Sequence, residues 1–276
     1  MKLDNQQEIQ SYIAGLFDAE GWFTYHLQKK KYWNPQIGFV NTDLKIIDIY
    51  RKFLDQNKIK YHVVVRKRKR WHKIQTSIII EGDLQVLKWL KLVGTKLVIK
   101  KKQLMVIKES LNIKPKFRNK YRIRFQELLI SEDVGCELID KNWLMGFWEG
   151  NGSASIIKRN YRGLRIKYIP LIRFFSTSEI AKNSIAYFFK KEKIPHYIQR
   201  FKRDKNKPKY VISISGLKRC LRFSDKVRKL DLTGKISIVR NFCQRRISLP
   251  PKTPYSDLDL LDYERLKILN DYTSNY

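Results

Sequence analysis

The sequence predicts an α+β protein made of two pseudo-symmetric αββαββα halves, each with a four-stranded antiparallel sheet. Two observations predict this class. An apolar motif ending in acids, Ile13-Ala14-Gly15-Leu16-Phe17-Asp18-Ala19-Glu20-Gly21, returns as Leu144-Met145-Gly146-Phe147-Trp148-Glu149-Gly150-Asn151-Gly152. After each copy the hydrophobic period changes from helical to alternating, and the same order of elements follows. With 43% hydrophobic residues and only 8 Pro and 12 Gly, the chain has material for two cores and no low-complexity stretch.

In the first half the motif opens as a helical run. FTYHLQKK (23–30) and PQIGFVNT (35–42) then read as strands joined by a KYWN turn. Asp43 caps LKIIDIYRKFL, whose apolar residues at 44, 46, 47, 50, 53 and 54 share one face. YHVVVRKR and HKIQTSIII form a second hairpin around Arg68-Lys69-Arg70, and Gly82-Asp83 start the helix LQVLKWLKLV. A basic helix over 97–112 closes this half, and Pro115 bars its continuation. The first repeat therefore spans 1–113, and 114–139 reads as a linker, basic first and acidic later.

The second repeat, 140–247, follows the same order. Its motif helix leads to strands at 153–158 and 165–175, a helix at 178–191, strands at 196–203 and 209–215, and helices at 217–230 and 235–246. The tail, 248–276, carries apolar residues at the spacing of a short amphipathic helix, expected to pack on the fold.

The charge balance narrows the partners. Against 26 acids stand 58 Lys and Arg, a formal net charge of +32, which calls for a polyanion to neutralise it. Duplex DNA or structured RNA meets that need. A membrane does not, because no apolar run reaches the ~18 residues of a span and the basic residues are spread over the whole length. The start, MKLDNQQEIQ, is too polar and mixed in charge for a signal or transit peptide, so the chain is expected to stay where it is made. Three scattered cysteines argue against a disulfide framework and for a reducing compartment, and four histidines show no ligand spacing. The Lys-, Ile-, Asn- and Tyr-rich composition fits an AT-rich genome, such as that of a mitochondrion or chloroplast.

Asp18 and Glu20 are out of place by stability alone. A helix C-terminus is partly negative, so each carboxylate there costs ~0.3–1 kcal/mol. The two motifs, each opening an equivalent half, resemble the LAGLIDADG family of homing endonucleases and intron maturases in its single-chain, two-repeat form. The resemblance runs from residue 10 to 247. It implies a saddle of two sheets with the motif helices at the interface, where Gly15 and Gly146 permit close approach. It also implies that Glu20 binds Mg²⁺ at the scissile phosphate and that Lys100, matched by helix position, orients water. A hard cation needs oxygen ligands, which would account for an acid at a helix end.

The second motif departs from that pattern. Asn151 stands where the first has Glu20, keeping an oxygen but no charge, and the residue in register with Lys100 is Ile238, with Arg240 two further on. Two-metal hydrolysis needs anionic ligands on both sides. The expectation is a Mg²⁺-dependent, site-specific DNA endonuclease with one site impaired, reduced to nicking or to binding. The alternative is a non-enzymatic RNA-binding protein, either a splicing maturase or a structural part of a ribosome-like particle. The chain is expected to be a monomer in itself.

Strand alternation supplies the expected contact surface. Trp22, Thr24, His26 and Gln28 share a face in the first hairpin, as do Lys73, Gln75 and Ser77 in the second. Ser153 and Ser155, and Arg165, Lys167 and Arg173, do so in the other half. The basic hairpin tips Arg66, Arg68 and Arg70, and the stretch starting at Arg200, would meet phosphates. Tyr32, Trp33, Trp71 and Tyr161 fall at turns, where they could stack on unpaired bases.

Overall fold

The computed structural model describes residues 5–28, 31–67, 74–130, 134–161, 165–203, 206–231, 233–250 and 253–271. Among the described residues it holds ten α-helices and two four-stranded antiparallel sheets, the α+β class expected. The chain divides into two compact units. The first comprises 3–135 together with 142–150, and the second comprises 136–141 and the chain from 151 onward.

Helix α1 (Gln6–Glu20) starts behind Asn5, whose side chain accepts the Gln7 N–H at 3.1 Å. It runs directly into β1 (Gly21–Gln28), which pairs with β2 (Tyr32–Asn41). The KYWN segment expected as a turn lies mostly inside β2, where Tyr32, Trp33 and Asn34 pair with Gln28, Leu27 and His26. Aromatic residues favour the strand. Pro35 is tolerated there because β2 meets its second neighbour only from Gln36 onward, so the missing N–H breaks no ladder.

Asp43 caps α2 (Leu44–Gln56) by accepting the Lys45 N–H at 2.9 Å. Next come β3 (His62–Arg66), β4 (Gln75–Glu81) and α3 (Asp83–Val93), and the sheet order is β1-β2-β4-β3. Phe17 of α1, Phe23 of β1 and Trp89 of α3 meet with ring centroids 4.5–6.0 Å apart, which seats α1 on the sheet.

The stretch read as a linker is largely helical. After α4 (Lys101–Leu111) comes α5 (Asn119–Ile130), whose Phe125 is buried against Tyr25 with ring centroids 5.7 Å apart. Arg118, only 1% exposed, leads into it. Its guanidinium is bidentate to Asp83 at 2.9 and 2.5 Å and also donates to the Ser110 and Ile113 carbonyls and to Asn34, each at 3.0 Å. A buried charge is tolerable only when satisfied in this way.

Most of α6 (Lys141–Asn151), the second motif helix, belongs to the first unit. The second unit repeats the plan with β5 (Gly152–Tyr161), β6 (Arg165–Ser176), α7 (Glu179–Lys191), β7 (Tyr197–Arg203), β8 (Asn206–Ser215), α8 (Leu217–Val227) and α9 (Lys235–Ile247). Its sheet order is β5-β6-β8-β7. The tail forms the expected helix, α10 (Asp257–Asp271), and it packs: Leu266 is fully buried, Asn270 donates to the Ala154 carbonyl at 2.7 Å, and Tyr255 and Tyr263 meet Tyr168 edge-on. Because α10 follows α9 as α5 follows α4, each repeat is αββαββααα, one helix longer than the four read from the sequence.

The two motif helices touch backbone to backbone, as expected. A Cβ at Gly15 would stand 2.0 Å from the Trp143 carbonyl oxygen, and one at Gly146 would stand 2.0 Å from that of Tyr12. Neither helix can back away without opening the core. Gly15→Ala is expected to cost about 3 kcal/mol, the upper end of ordinary overpacking, read as a lowered midpoint in urea denaturation. A loss under about 0.5 kcal/mol, as at an ordinary surface position, would contradict the close contact.

Candidate functional site

The site is built at the C-terminal end of α1. Asp18 is buried, and its carboxylate accepts the N–H groups of Val98 at 2.7 Å and Lys100 at 3.1 Å, and the Trp143 indole N–H at 3.0 Å. These bonds hold the bent segment before α4, and the second motif helix, against the end of α1. Burial raises the Asp18 pKa, with Lys100 and the three donors opposing it. Asp18 thus has a positioning role that the sequence reading did not assign; its partners lie some 80 and 125 residues away, so no local pattern reveals it.

Lys100 turns back onto the same helix end. Its ammonium donates to the Phe17 carbonyl at 3.0 Å, which also accepts the Gly21 N–H, and to the Asp18 carbonyl, both in the last turn of α1. Burial lowers its pKa, and the charges of Asp18 and Glu20 oppose that shift. Glu20, the half-buried last residue of α1, has its carboxyl pushed up to about 7 by burial, which outweighs the nearby Lys100 charge. Gly150 leaves room beside it, since a Cβ there would come within 3.1 Å of Glu20 Cγ. Glu20 and Lys100 therefore come together as expected.

This arrangement suits a divalent cation. Glu20 is a carboxylate whose charge is under-compensated, so a cation that displaces its proton relieves the cost of burial. Among the described residues no group of three or more His, Cys, Asp or Glu could hold a metal. A cation at Glu20 would draw most of its ligands from water and phosphate, the habit of Mg²⁺.

The second half lacks both parts. Asn151 ends α6, and buried Glu149 occupies the motif position of Asp18. The register that paired Lys100 with Ile238 is corrected by the structure. That pairing assumed a helix from residue 97, but Asp18 draws the N–H groups of Val98 and Lys100 away from helical bonding, and α4 starts at Lys101. Lys100 immediately precedes α4, and the residue immediately preceding α9 is Gly234, at φ 77°. Ile238 lies a turn inside α9, and Arg240 is engaged by Asp225 at 2.6 Å and Gln244 at 2.9 Å.

Each sheet has one face covered by helices and one open. In the first, Phe23, Tyr25, Ile37, Phe39, Ile78 and Ile80 are buried on the covered face. Trp22, Thr24, His26 and Gln28 are on the other, with Arg66 opposite Gln75, and Ser77 beside them. The Trp22 indole lies over Gly38, where a Cβ would be 1.9 Å from the ring. Arg68, Arg70, Trp71 and Lys73 lie outside the described residues. One face of the half-buried Trp33 ring is taken by the Arg122 guanidinium, 4.6 Å from its centroid.

In the second sheet Ser153, Arg173 and Ser213 form one row across three strands, and Ser155, Leu171 and Ser215 another. Lys167 is opposite Arg159 on the same face, and Arg165 shares their parity. Burial lowers the pKa of half-buried Arg173. Arg200 departs from expectation. It pairs with buried Tyr210 and feels the charge of Glu179 on α7, so it belongs to the helix-covered face. The residues of β7 that share the open face are Tyr197, Gln199 and Phe201. Arg159 and Ser213 were missed, although strand alternation alone could have placed both.

Residues 7–94 match the family model of the LAGLIDADG-like domain. No curated protein sequence matches the chain. Among solved structures it is similar to the I-SmaMI LAGLIDADG homing endonuclease bound to cleaved DNA, at 16% identity over 94% of this chain and 95% of that one, with a TM-score of 0.63. It is also similar to the LAGLIDADG meganuclease I-AabMI bound to uncleaved DNA, at 11% identity over 94% and 98%, with a TM-score of 0.68. These likenesses establish the two-repeat LAGLIDADG fold.

The Glu20 carboxyl sets a pH dependence whose sign is fixed. Its folded pKa lies above the ordinary 4.5, so between that value and about 7 the folded chain binds the extra proton. Stability contributed by the protonated group is lost as pH rises through this window. Glu20→Gln is expected to gain stability relative to the parent between pH 4.5 and 8, by on the order of 2 kcal/mol. Urea denaturation at the two pH values measures it, and a difference that stays flat would mean the carboxyl is not desolvated.

Proposed function

We propose that this chain binds duplex DNA on the open faces of its two sheets and cleaves one strand, using Mg²⁺ held at Glu20. The observation that carries the reading is the asymmetry between the repeats. The first keeps an acid at the helix end and a lysine bound to the same turn; the second has Asn151 and Gly234 at the corresponding places. Solved proteins of this fold hold DNA, cleaved in one case, which supports DNA as substrate.

The chain's own residues divide the work. Glu20 would hold the cation, and Mg²⁺ would supply charge to stabilise the attacking and leaving oxygens. Lys100, held by the Phe17 and Asp18 carbonyls, keeps an ammonium beside that carboxylate, where it can orient water or a phosphate oxygen. Asp18 fixes the Lys100 backbone. Asn151 offers a neutral oxygen, and Gly234 offers no side chain, so the second strand is left intact. The AT-rich coding signature supports an organellar source.

The net charge of +32 favours a second reading, in which the chain binds RNA without cleavage, as a maturase or as a component of a ribonucleoprotein. One experiment separates the two. Supercoiled plasmids carrying a randomised insert are incubated with Mg²⁺ and scored for open circles against linear product. The proposal expects open circles only, a loss of more than about 100-fold with Glu20→Gln, as for removal of a metal-site residue, and second-strand cleavage restored in part by Asn151→Asp. Absence of any cleavage, with tight and selective RNA binding, would establish the second reading instead.

The open-face assignment has its own check. Arg173→Ala is expected to weaken duplex binding by roughly 1–3 kcal/mol, as for a side chain that reaches the nucleic acid. Arg200→Ala, on the helix-covered face, is expected to change it no more than a surface control. Equal losses in a titration of labelled duplex would refute the assignment.

A further inference from the structure

A second cationic site lies in the second unit, away from the motif residues. A cleft of about 650 Å³ is bounded by the end of α7, the loop before β7, the start of β7 and the first turn of α8. Lys190, Lys193 and Arg219 line it together with the rings of Tyr187, His196 and Tyr197, and among the described residues no carboxylate does. Tyr187 and Tyr197 are 48% and 58% exposed. Arg219 lies 5.8 Å from the Tyr197 ring centroid and donates to its hydroxyl at 3.3 Å, so the ring and the guanidinium hold each other in place.

The first repeat gives an internal comparison, because the backbone there is the same. Lys58 and Lys193 share a φ of 53°, and in each repeat the next residue donates back to the helix, Ile59 to Leu54 and Ile194 to Phe189. The side chains have diverged. In the first repeat Gln85 accepts the Lys60 N–H at 2.9 Å, and Asp55 and Asp48 are close enough to act on Arg51. In the second repeat Arg219 replaces Gln85, Pro195 replaces Lys60 and so offers no N–H, and Lys190 replaces Asp55. A corner of mixed charge has become one where the described lining carries cations and rings.

We infer that this cleft binds single-stranded nucleic acid, a base stacking on Tyr187 or Tyr197 while Lys190, Lys193 and Arg219 take the flanking phosphates. Exposed aromatics interleaved with cations are what an unpaired strand requires, whereas the bases of a duplex are already stacked and cannot reach the rings. Of the named cleft residues only Tyr197 also belongs to the open face of the second sheet, and binding here does not depend on cleavage.

The test uses the full chain and fluorescein-labelled 12-nucleotide uridine RNA, the matching thymidine DNA, and a labelled duplex, each followed by anisotropy. Arg219→Gln combined with Lys190→Gln is compared with Lys45→Gln combined with Lys52→Gln, an equal charge loss on exposed positions of α2. The inference expects the first variant to weaken single-strand binding at least tenfold beyond the control while duplex binding stays within twofold of it. Tyr187→Ser should weaken the single strand alone, which separates stacking from charge. Tighter binding of RNA than DNA would add recognition of the 2′-hydroxyl, and equal binding would leave base and phosphate as the recognised groups. Equal losses in variant and control, or a single strand displaced by duplex at one shared site, would overturn it.

Discussion

The contact between the Gly15 and Gly146 backbones is the constraint on which the site depends. It brings the C-terminal ends of two helices together at a separation that no Cβ permits, and so sets where Asp18, Ala19 and Glu20 lie relative to Gly150. Trp143, one turn before Gly146, reaches Asp18 only because the helices are this close. The packing that stabilises the first unit and the geometry that exposes Glu20 to a ligand are therefore one arrangement.

From that contact a chain of hydrogen bonds leads to the chemistry. Asp18 ties down the segment before α4, that segment presents Lys100, and the Lys100 ammonium returns to the carbonyls of the helix that carries Glu20. The negative end of a helix would repel a carboxylate, and here an ammonium bound to two carbonyls of its last turn offsets that field. What remains uncompensated is the desolvation of Glu20, which holds its carboxyl up at about 7.

The wider charge distribution follows a similar division. Asp83, Glu109, Asp225, Asp259 and Asp262 are each held by an arginine, several of them to fasten the helices that close the two repeats. Of these only Asp259 and Asp262 are buried; the side chains of Asp83, Glu109 and Asp225 are partly exposed beside their arginines. The affinity for polyanions therefore rests on the excess of basic residues in the composition.

The duplication, the order of helices and strands, and the helix contact at the two glycines are legible in the sequence alone. These are local or periodic features: a motif, a 3.6-residue or two-residue repeat, an absent side chain. Strand parity likewise placed Trp22, Ser77 and Arg173 on one kind of face. Only the tertiary structure decided that 114–139 contains a packed helix, because its one deeply buried ring, Phe125, and its buried Arg118 are supported by residues far away in the chain. The same holds for the partner of Lys100 in the second repeat. Where α4 begins is fixed by long-range bonds to Asp18, and four residues of helix register separate Ile238 from Gly234. A side chain that acts at a distance in sequence leaves no period to read, so its role emerges only when the chain is folded.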